Sequence, residues 1–171
     1  MFGWLFKKNK AAPVKEPEKI DKFAVAMAFV LKWEGGLSND RLDPGGLTNF
    51  GISKRYNPEI SAIEIRNLTK EKAVQIYHRK YWIPAGCENF EHPLSMAVFD
   101  AAVNNGVSRS LSFYAAAKES MFDPDTLSLT KAHLGHRAAW YRAEVKRKPY
   151  KKKFLKGWLR RVDALSKACG V

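Results

Sequence analysis

An apolar segment that ends at a double glycine constrains the fold of this chain most strongly. Residues 23–33 repeat apolar side chains at helical spacing on one face, and Asp21 can cap the start of such a helix. Gly35 and Gly36 then stop the helix. Glu34 therefore falls in the last helical turn, beside a core and facing a loop. Packing alone is a poor explanation for a single acid at this position.

Start and stop signals along the rest of the chain predict a mainly α-helical protein. Ser61, Thr69 and Ser108 are predicted N-caps, and Ser61 forms a capping box with Glu64. Further helices are predicted at residues 61–66, from 69 to the stop at 84–86, at 94–103, from 108 to about 121, from the turn at 123–125 to 149, and from about 150 to 168. The only candidate strand material lies in residues 37–55, so we expect at most a small β-hairpin or loop after the first helix.

Length and charge limit the domain organisation and the class of partner. The chain of 171 residues fits one domain, which we expect over residues 21–171, after a flexible basic leader at residues 1–20. Lys and Arg number 30 against 17 Asp and Glu, which gives a formal net charge of +13. A partner met by diffusion is therefore expected to be anionic, such as nucleic acid, acidic lipid or the polymers of a bacterial envelope.

The cysteines, the histidines and the N-terminal segment exclude several classes of protein. Cys87 and Cys169 lack metal-ligand spacing and are expected to be free thiols, the alternative being a single disulfide in an oxidising compartment. The four histidines do not cluster, so no metal site is expected. Residues 1–8 place apolar before basic side chains, the reverse of a secretory signal, and are either a frayed tail or an amphipathic tag that touches a membrane. The longest uncharged apolar run, residues 23–31, is far shorter than a bilayer span, so we expect a soluble protein.

The loop after Glu34 supplies groups that the cleavage of a glycosidic bond requires. Such a bond is cut when one carboxyl protonates the leaving oxygen while a second carboxylate supports the positively charged sugar or activates water. Asp43 can face Glu34 if the glycines fold the chain back. Partial burial near Trp33 and Phe50 would raise the pKa of Glu34 and keep it protonated, whereas Asp43 in a polar loop would stay ionised.

Thr48 and Asp40 are further candidates in the same loop. Thr48 can hold the attacking water or a sugar acetamido group, and Asp40 competes with Asp43 for the role of second carboxylate. The alternative is purely structural, because a glutamate at a helix end is commonly a solvated charge and residues 43–46 are an ordinary turn sequence. The residue types alone leave both interpretations open.

Several segments together carry a family resemblance. They are Phe-Val-Leu-Lys-Trp-Glu-Gly-Gly at 29–36, Asp40, Asp-Pro-Gly-Gly-Leu-Thr at 43–48, Gly-Ile-Ser at 51–53, Tyr-His-Arg-Lys-Tyr-Trp at 77–82, Phe-Asp-Ala-Ala-Val-Asn-Asn-Gly at 99–106, and Phe-Leu-Lys-Gly-Trp-Leu-Arg-Arg-Val at 154–162. In combination they resemble the N-acetylmuramidases of glycoside hydrolase family 108, which include phage endolysins and related bacterial lysozyme-like proteins. The resemblance covers nearly everything after residue 21. It implies a lysozyme-like helical domain whose residues 93–171 contain a peptidoglycan-binding-like helical half.

The resemblance also implies an activity and a role for Glu34. The catalytic glutamate of the family's Glu-Gly-Gly-Tyr motif falls on Glu34, with Leu37 in place of the tyrosine. The order Glu34, Asp43, Thr48 is similar to the triad of phage-type lysozymes. The implied reaction is hydrolysis of the β-1,4 bond between N-acetylmuramic acid and N-acetylglucosamine in peptidoglycan, without a metal or organic cofactor. The competing hypothesis is a non-catalytic protein on a lysozyme-like scaffold that binds the envelope or nucleic acid.

Two residue pairs are candidates for substrate binding. Tyr81 and Trp82 can stack on sugar rings, and Asn104 and Asn105 can bond acetamido groups; the alternatives are core aromatics and a helix C-cap. Asp100 lies inside an apolar helical segment, where an unpaired acid is rare. We interpret it as the structural partner of a cation or a loop amide, with a place in the cleft as the alternative.

A basic run near the C-terminus is the candidate partner surface. Residues 146–161 hold nine Lys or Arg and no acid. The run is either a solvated helix face or a surface that adheres to anionic envelope polymers or a membrane; we do not expect nucleic acid to be the partner. We expect a monomer that stays in the cytoplasm until a holin or a dedicated secretion route releases it to the periplasm and cell wall.

Overall fold

A computed structural model describes residues 20–34, 37 and 47–171 of the chain. In this part the elements follow in the order α1 Lys22–Trp33, β1 Thr48–Asn49, β2 Ile52–Ser53, α2 Ala62–Arg66, α3 Lys70–Tyr77, α4 Leu94–Asn105, α5 Val107–Glu119, α6 Thr126–Arg147 and α7 Lys152–Cys169. Short 3-10 turns at Cys87–Asn89 and Pro149–Lys151 connect some of them. The prediction of a mainly α-helical protein with a small hairpin after the first helix is confirmed.

The helix starts follow the capping signals of the sequence. Asp21 accepts a hydrogen bond from the Ala24 N–H at 2.9 Å, and Thr69 accepts one from Lys72 at 3.3 Å. Ser61 and Glu64 form the reciprocal bonds of a capping box. Each cap satisfies a backbone donor that the first helical turn leaves unpaired, and loss of one such cap costs about 1 kcal/mol.

The junction between α4 and α5 differs from the predicted one. We expected α4 to end at Val103 and Ser108 to cap α5, but α4 continues to Asn105 and α5 begins at Val107. Gly106 alone forms the turn, with φ at +86°. A single glycine in this conformation reverses the chain without a capping loop, so Ser108 lies inside the first turn of α5.

Helix α4 is the centre of the fold. The nine consecutive residues Leu94–Ala102 are buried, and the helix packs against α1, α5, α6 and α7. Val98 and Phe99 are completely buried, and each such side chain contributes about 1.5–3 kcal/mol to folding. Side chains from α1 and from α3 through α7 join in the same apolar cluster. Any group that projects from α4 toward its neighbours is therefore held in a rigid place.

One asparagine fixes the hairpin to the helical body. The side-chain amide of Asn49 in β1 donates to the carbonyl of Ile65 at 3.0 Å and lies 3.4 Å from those of Arg66 and Leu68. These carbonyls lie at or just beyond the end of α2, where the regular helical hydrogen bonds stop, and the Ile65 carbonyl also accepts from the Leu68 N–H at 3.3 Å. The hairpin is thereby held against α2, so the position of its turn is set by the helical core.

Both cysteines are buried in this core. Cys87 and Cys169 are free thiols, as the sequence predicted, and burial raises the pKa of each to about 12. Neither thiol is therefore reactive in the folded protein. Within the described residues, no helix combines the length and the apolar character needed to cross a bilayer.

Candidate active site

Glu34 lies at the C-terminal end of α1 and contributes to a cleft of about 580 Å³. The hairpin, α3 and the end of α4 supply the other walls. The described lining residues are Glu34, Gly51, Ile52, Tyr56, Asn57, Ile76, Tyr77, Lys80, Tyr81, Val103, Asn104, Asn105 and Gly106. The Glu34 side chain is 19% exposed, so its carboxyl is mostly buried yet open to a ligand in the cleft.

A chain of charged groups links Glu34 to the core. Nη1 of Arg161 in α7 donates to Oε1 of Glu34 at 3.0 Å, and Nη2 of the same guanidinium donates to Oδ1 of Asp100 at 2.7 Å. Nη1 of Arg137 in α6 donates to Oδ2 of Asp100 at 2.7 Å. Asp100 is thus the buried partner of two cations, which confirms its interpretation as a structural residue.

The two acids of this chain have opposite electrostatics. Burial raises the pKa of Glu34, and the guanidinium of Arg161 opposes this shift without cancelling it. Burial would also raise the pKa of Asp100, but Arg137 and Arg161 outweigh it and hold that pKa below its usual range. The surroundings of Asp100 therefore favour its anionic form, whereas burial of Glu34 favours its protonated form.

The hairpin turn brings backbone against the Glu34 carboxyl. Phe50 and Gly51 form a two-residue turn with φ of +48° and +75°, as a type I′ hairpin requires. The Tyr77 hydroxyl donates to the Phe50 carbonyl at 2.9 Å. A Cβ added to Gly51 would overlap both Oε2 of Glu34 and the Tyr77 hydroxyl. Glycine at this position is therefore required by the backbone conformation and by the space that Glu34 occupies.

Three of the predicted substrate-binding residues line the cleft. Tyr81 is partly buried beside Tyr77, with ring centroids 5.8 Å apart. Asn104 donates to the backbone carbonyl of Asp100 at 2.8 Å. Asn105 accepts a hydrogen bond from the Tyr141 hydroxyl at 3.2 Å. Both asparagines therefore have a fixed orientation at the edge of the cleft. They lie at the C-terminal end of α4, as the C-cap alternative predicted, and they also line the cleft.

Trp82 lies in the core instead of the cleft. Its side chain is 2% exposed and packs edge-on against Phe23 and Phe99 at 5.2 and 5.4 Å between ring centroids. The sugar-stacking interpretation of this residue is therefore replaced by the core alternative. Consecutive side chains of a helical turn point in different directions, so within the turn His78–Trp82, Tyr81 lines the cleft while Trp82 enters the core.

The remaining predicted residues are placed only in part. Thr48 is half-buried in β1, where it pairs with Ser53, and it is not among the described lining residues of the cleft. Asp40 and Asp43 lie outside the described residues. The candidate second carboxylate therefore remains a prediction of the sequence.

Arg161 is the residue of the site that the sequence interpretation missed. It was counted in the basic run at 146–161 as a surface charge, yet it is 8% exposed. A signal was present, since Arg161, Leu165 and Cys169 follow at intervals of four on the buried face of α7. An arginine within an apolar helical face indicates a buried ion pair, and Asp100 was the unpaired acid it could serve.

Comparison with known proteins finds a family that part of the site resembles. Residues 27–106 match the family described as Glycosyl hydrolase 108. The solved structure of SagA from Brucella abortus is similar to this chain, with 27% sequence identity and a TM-score of 0.68 over 85% of this chain and 92% of that one. Among curated proteins, none matched the sequence. Residues 27–106 are therefore similar to the glycosyl hydrolase 108 family, and this similarity supports a peptidoglycan hydrolase of the glycoside hydrolase type as the general function.

Proposed function

We propose that this protein hydrolyses the β-1,4 bond between N-acetylmuramic acid and N-acetylglucosamine in peptidoglycan, as a lysozyme, with Glu34 as the general acid. The observation that carries the proposal is the position of Glu34, a partly buried carboxyl with a raised pKa in the wall of a cleft. A general acid must hold its proton near neutral pH and reach the leaving oxygen. Burial, which raises the pKa of Glu34, supports the first condition, and the exposed fraction of the side chain supports the second.

The cleft fits a sugar polymer in size and in lining. A volume of about 580 Å³ is in the range of small-ligand sites, and the open form suits a chain that continues on both sides. Tyr81 offers a ring for stacking on a pyranose. Because Oδ1 of Asn105 is engaged by Tyr141, its NH₂ group is left to bond an acetamido carbonyl.

The reaction follows from the carboxyl chemistry. The proton of Glu34 passes to the glycosidic oxygen as the C–O bond breaks and its electron pair stays on that oxygen. We assign the second carboxylate to Asp43, which would stabilise the positive sugar or orient the attacking water. No cofactor enters this step.

Replacement of Glu34 by Gln tests the proposal. The amide keeps the shape of the side chain but has no acidic proton, so the release of reducing ends from purified peptidoglycan should fall by about 100-fold or more. Glu119→Gln removes an exposed carboxyl at the end of α5 and should leave the rate unchanged. If Glu34→Gln releases reducing ends at the wild-type rate, Glu34 is not the acid.

Within the part of the chain that the structure describes, the basic C-terminal run divides into cations that form ion pairs and cations that form none. Arg147, Lys148 and Lys151 all pair with the buried Glu144, and Arg161 pairs with the acids described above. These four of the nine basic residues therefore support the fold. A partner surface has to be built from the others.

A groove between α6 and α7 contains two of these remaining cations, Lys156 and Arg160. It measures about 520 Å³ and is lined by Lys131, Leu134, Gly135, Ala138, Arg142, Lys156, Leu159, Arg160, Val162, Asp163 and Ser166. Four cations and one acid, Asp163, thus line the groove. Oδ2 of Asp163 lies 3.6 Å from Nζ of Lys167. We propose that this groove, and not the rest of the run at 146–161, holds anionic strands of the wall, where each exposed cation contributes on the order of 1 kcal/mol.

Sedimentation with insoluble peptidoglycan tests the groove in a Glu34→Gln background, in which the polymer stays intact. Joint substitution of Lys156 and Arg160 by Gln should reduce the bound fraction several-fold, and added salt should reduce it further. Joint substitution of Lys152 and Lys153, exposed on the same helix, is the control for net charge. Equal losses from both pairs would exclude the groove, and a preference for duplex DNA at matched salt would exclude the envelope as partner.

A further inference from the structure

The carboxyl of Glu34 has two oxygens in different surroundings. Oε1 accepts the hydrogen bond from Arg161 at 3.0 Å. Oε2 lies against the α-carbon of Gly51, next to the Tyr77 hydroxyl. A guanidinium only donates hydrogen bonds and keeps its proton at every pH at which proteins are folded. A proton on Oε1 would point at another donor, so the acidic proton belongs on Oε2.

The Tyr77 hydroxyl strengthens this asymmetry. Its single proton is committed to the Phe50 carbonyl at 2.9 Å, so toward Glu34 the tyrosine oxygen offers only lone pairs. An oxygen of this kind favours a protonated neighbour over an anionic one. Gly51 and Tyr77 both line the cleft, so Oε2 is the oxygen on the side where a sugar would bind.

Arg161 is itself held in place by hydrogen bonds to Asp100. Its Nε and Nη2 donate to Oδ1 of Asp100 at 3.0 and 2.7 Å, and Arg137 occupies the other oxygen of that carboxylate. The side chain of Asp100 is 1% exposed and that of Arg137 is completely buried. The guanidinium therefore cannot follow Glu34 if the acid moves, and it does not line the cleft.

We propose that Arg161 is a positioning residue for the general acid: its bond to Oε1 confines the transferable proton to Oε2, and its charge stabilises the carboxylate left after proton transfer. This inference rests on the proposed role of Glu34. In the step itself, the proton leaves Oε2 for the glycosidic oxygen, the C–O bond breaks toward that oxygen, and Arg161 stays protonated throughout. Arg161 and Arg137 both lie beyond residue 106, so the segment that matches the family lacks two of the groups that set the chemistry of its acid.

The charged and titratable groups that face Glu34 from the described elements are Arg161 in α7, Asp100 in α4, Tyr77 in α3, and Tyr81 in the π-helical turn. Arg161 is the one cation among them. Its removal leaves burial and Asp100 unopposed, and both raise the pKa of Glu34. A general acid with a higher pKa holds its proton to higher pH and gives it up less readily.

The pH dependence of kcat for Arg161→Met is the test. The alkaline limb of this pH profile should move to higher pH by about one unit or more. The value of kcat should fall by at least about tenfold, and KM should change little. Arg161→Lys keeps the charge and should return the limb toward that of the wild type. Lys167→Gln removes an exposed cation from the same helix and should match the wild type in both quantities.

A background of Glu34→Gln separates positioning from loss of structure. If Arg161 acts through the acid, Arg161→Met should cause no further loss of the residual rate there, whereas misfolding would lower it again and would appear in thermal unfolding. An alkaline limb that stays at the wild-type position in both Arg161 variants overturns this inference while leaving Glu34 as the acid. A fully active Glu34→Gln would instead overturn the proposed function.

Discussion

The α-carbon of Gly51 lies so close to Oε2 of Glu34 that there is no space for a side chain at position 51. The two residues come from different elements, the turn of the hairpin and the end of α1. The contact places the backbone of the hairpin directly behind the carboxyl oxygen that we assign as the proton carrier.

Gly51→Ala should therefore impair the site and the fold together. The added Cβ meets Glu34 and Tyr77, and the φ of +75° is strained for alanine, so we expect a loss of about 1–3 kcal/mol in unfolding free energy. Displacement of the carboxyl should also lower the rate of reducing-end release by about 100-fold. Chemical denaturation and the rate assay check the two effects. Gly157→Ala in α7, where a Cβ meets open space, should preserve the rate and gain about 0.5–1 kcal/mol.

Asp100→Asn should destabilise the protein strongly, by about 3–5 kcal/mol, because it leaves two buried guanidiniums without their anion. Urea denaturation at neutral pH measures this loss. Asp163→Asn breaks an exposed pair with Lys167 and should change the unfolding free energy by less than about 1 kcal/mol. Similar values for the two variants would show that the buried network is not a major stabilising feature.

The raised pKa of Glu34 predicts a pH-dependent cost of folding. A carboxyl whose pKa in the folded state exceeds its ordinary value of 4.5 favours the folded state while protonated, and this contribution is lost as pH rises through the folded-state pKa. The unfolding free energy of the wild type, minus that of Glu34→Gln, should accordingly decline as pH rises from about 4.5. Denaturation curves from pH 4 to pH 8 measure the difference. A flat difference across this range would contradict the burial of an ionisable Glu34, and Glu119→Gln should give a flat line.

Tyr81 and Trp82, although adjacent, should respond differently to truncation. Tyr81→Ala removes a wall of the cleft and should raise KM by several-fold to about tenfold with a smaller effect on folding. Trp82→Ala opens a cavity among Phe23 and Phe99 and should cost about 3–5 kcal/mol in unfolding free energy. Steady-state kinetics and thermal unfolding on both variants separate the two roles. An unchanged KM in a folded Tyr81→Ala would remove this ring from the sugar site.

Local signals predicted most of the helix boundaries. Asp21, Ser61 and Thr69 cap the helices that the sequence assigned to them, because a cap is a bond between residues three positions apart. The prediction that Ser108 caps α5 was wrong because α4 and α5 pack so closely in the tertiary structure that Gly106 alone connects them. The different roles of Tyr81 and Trp82 were also not predicted, since residue type does not reveal which side of the turn His78–Trp82 packs against Phe23 and Phe99.

The candidate site was predictable only where its residues are close in sequence. Glu34, Tyr81, Asn104 and Asn105 were named from the sequence and line one cleft. The bond between Glu34 and Arg161 joins residues 127 positions apart, and no local pattern specifies such a pair. Only the packing of α7 against α4 brings the guanidinium to the acid.

This separation has a consequence for biosynthesis. A nascent chain that has emerged as far as α6 already carries Glu34, Asp100, Arg137 and the whole segment that matches the family. It still lacks Arg161, which the ribosome adds later and which reaches Glu34 only when α7 docks on α4. Truncated products of translation that stop before α7 therefore contain the acid without the guanidinium that orients it.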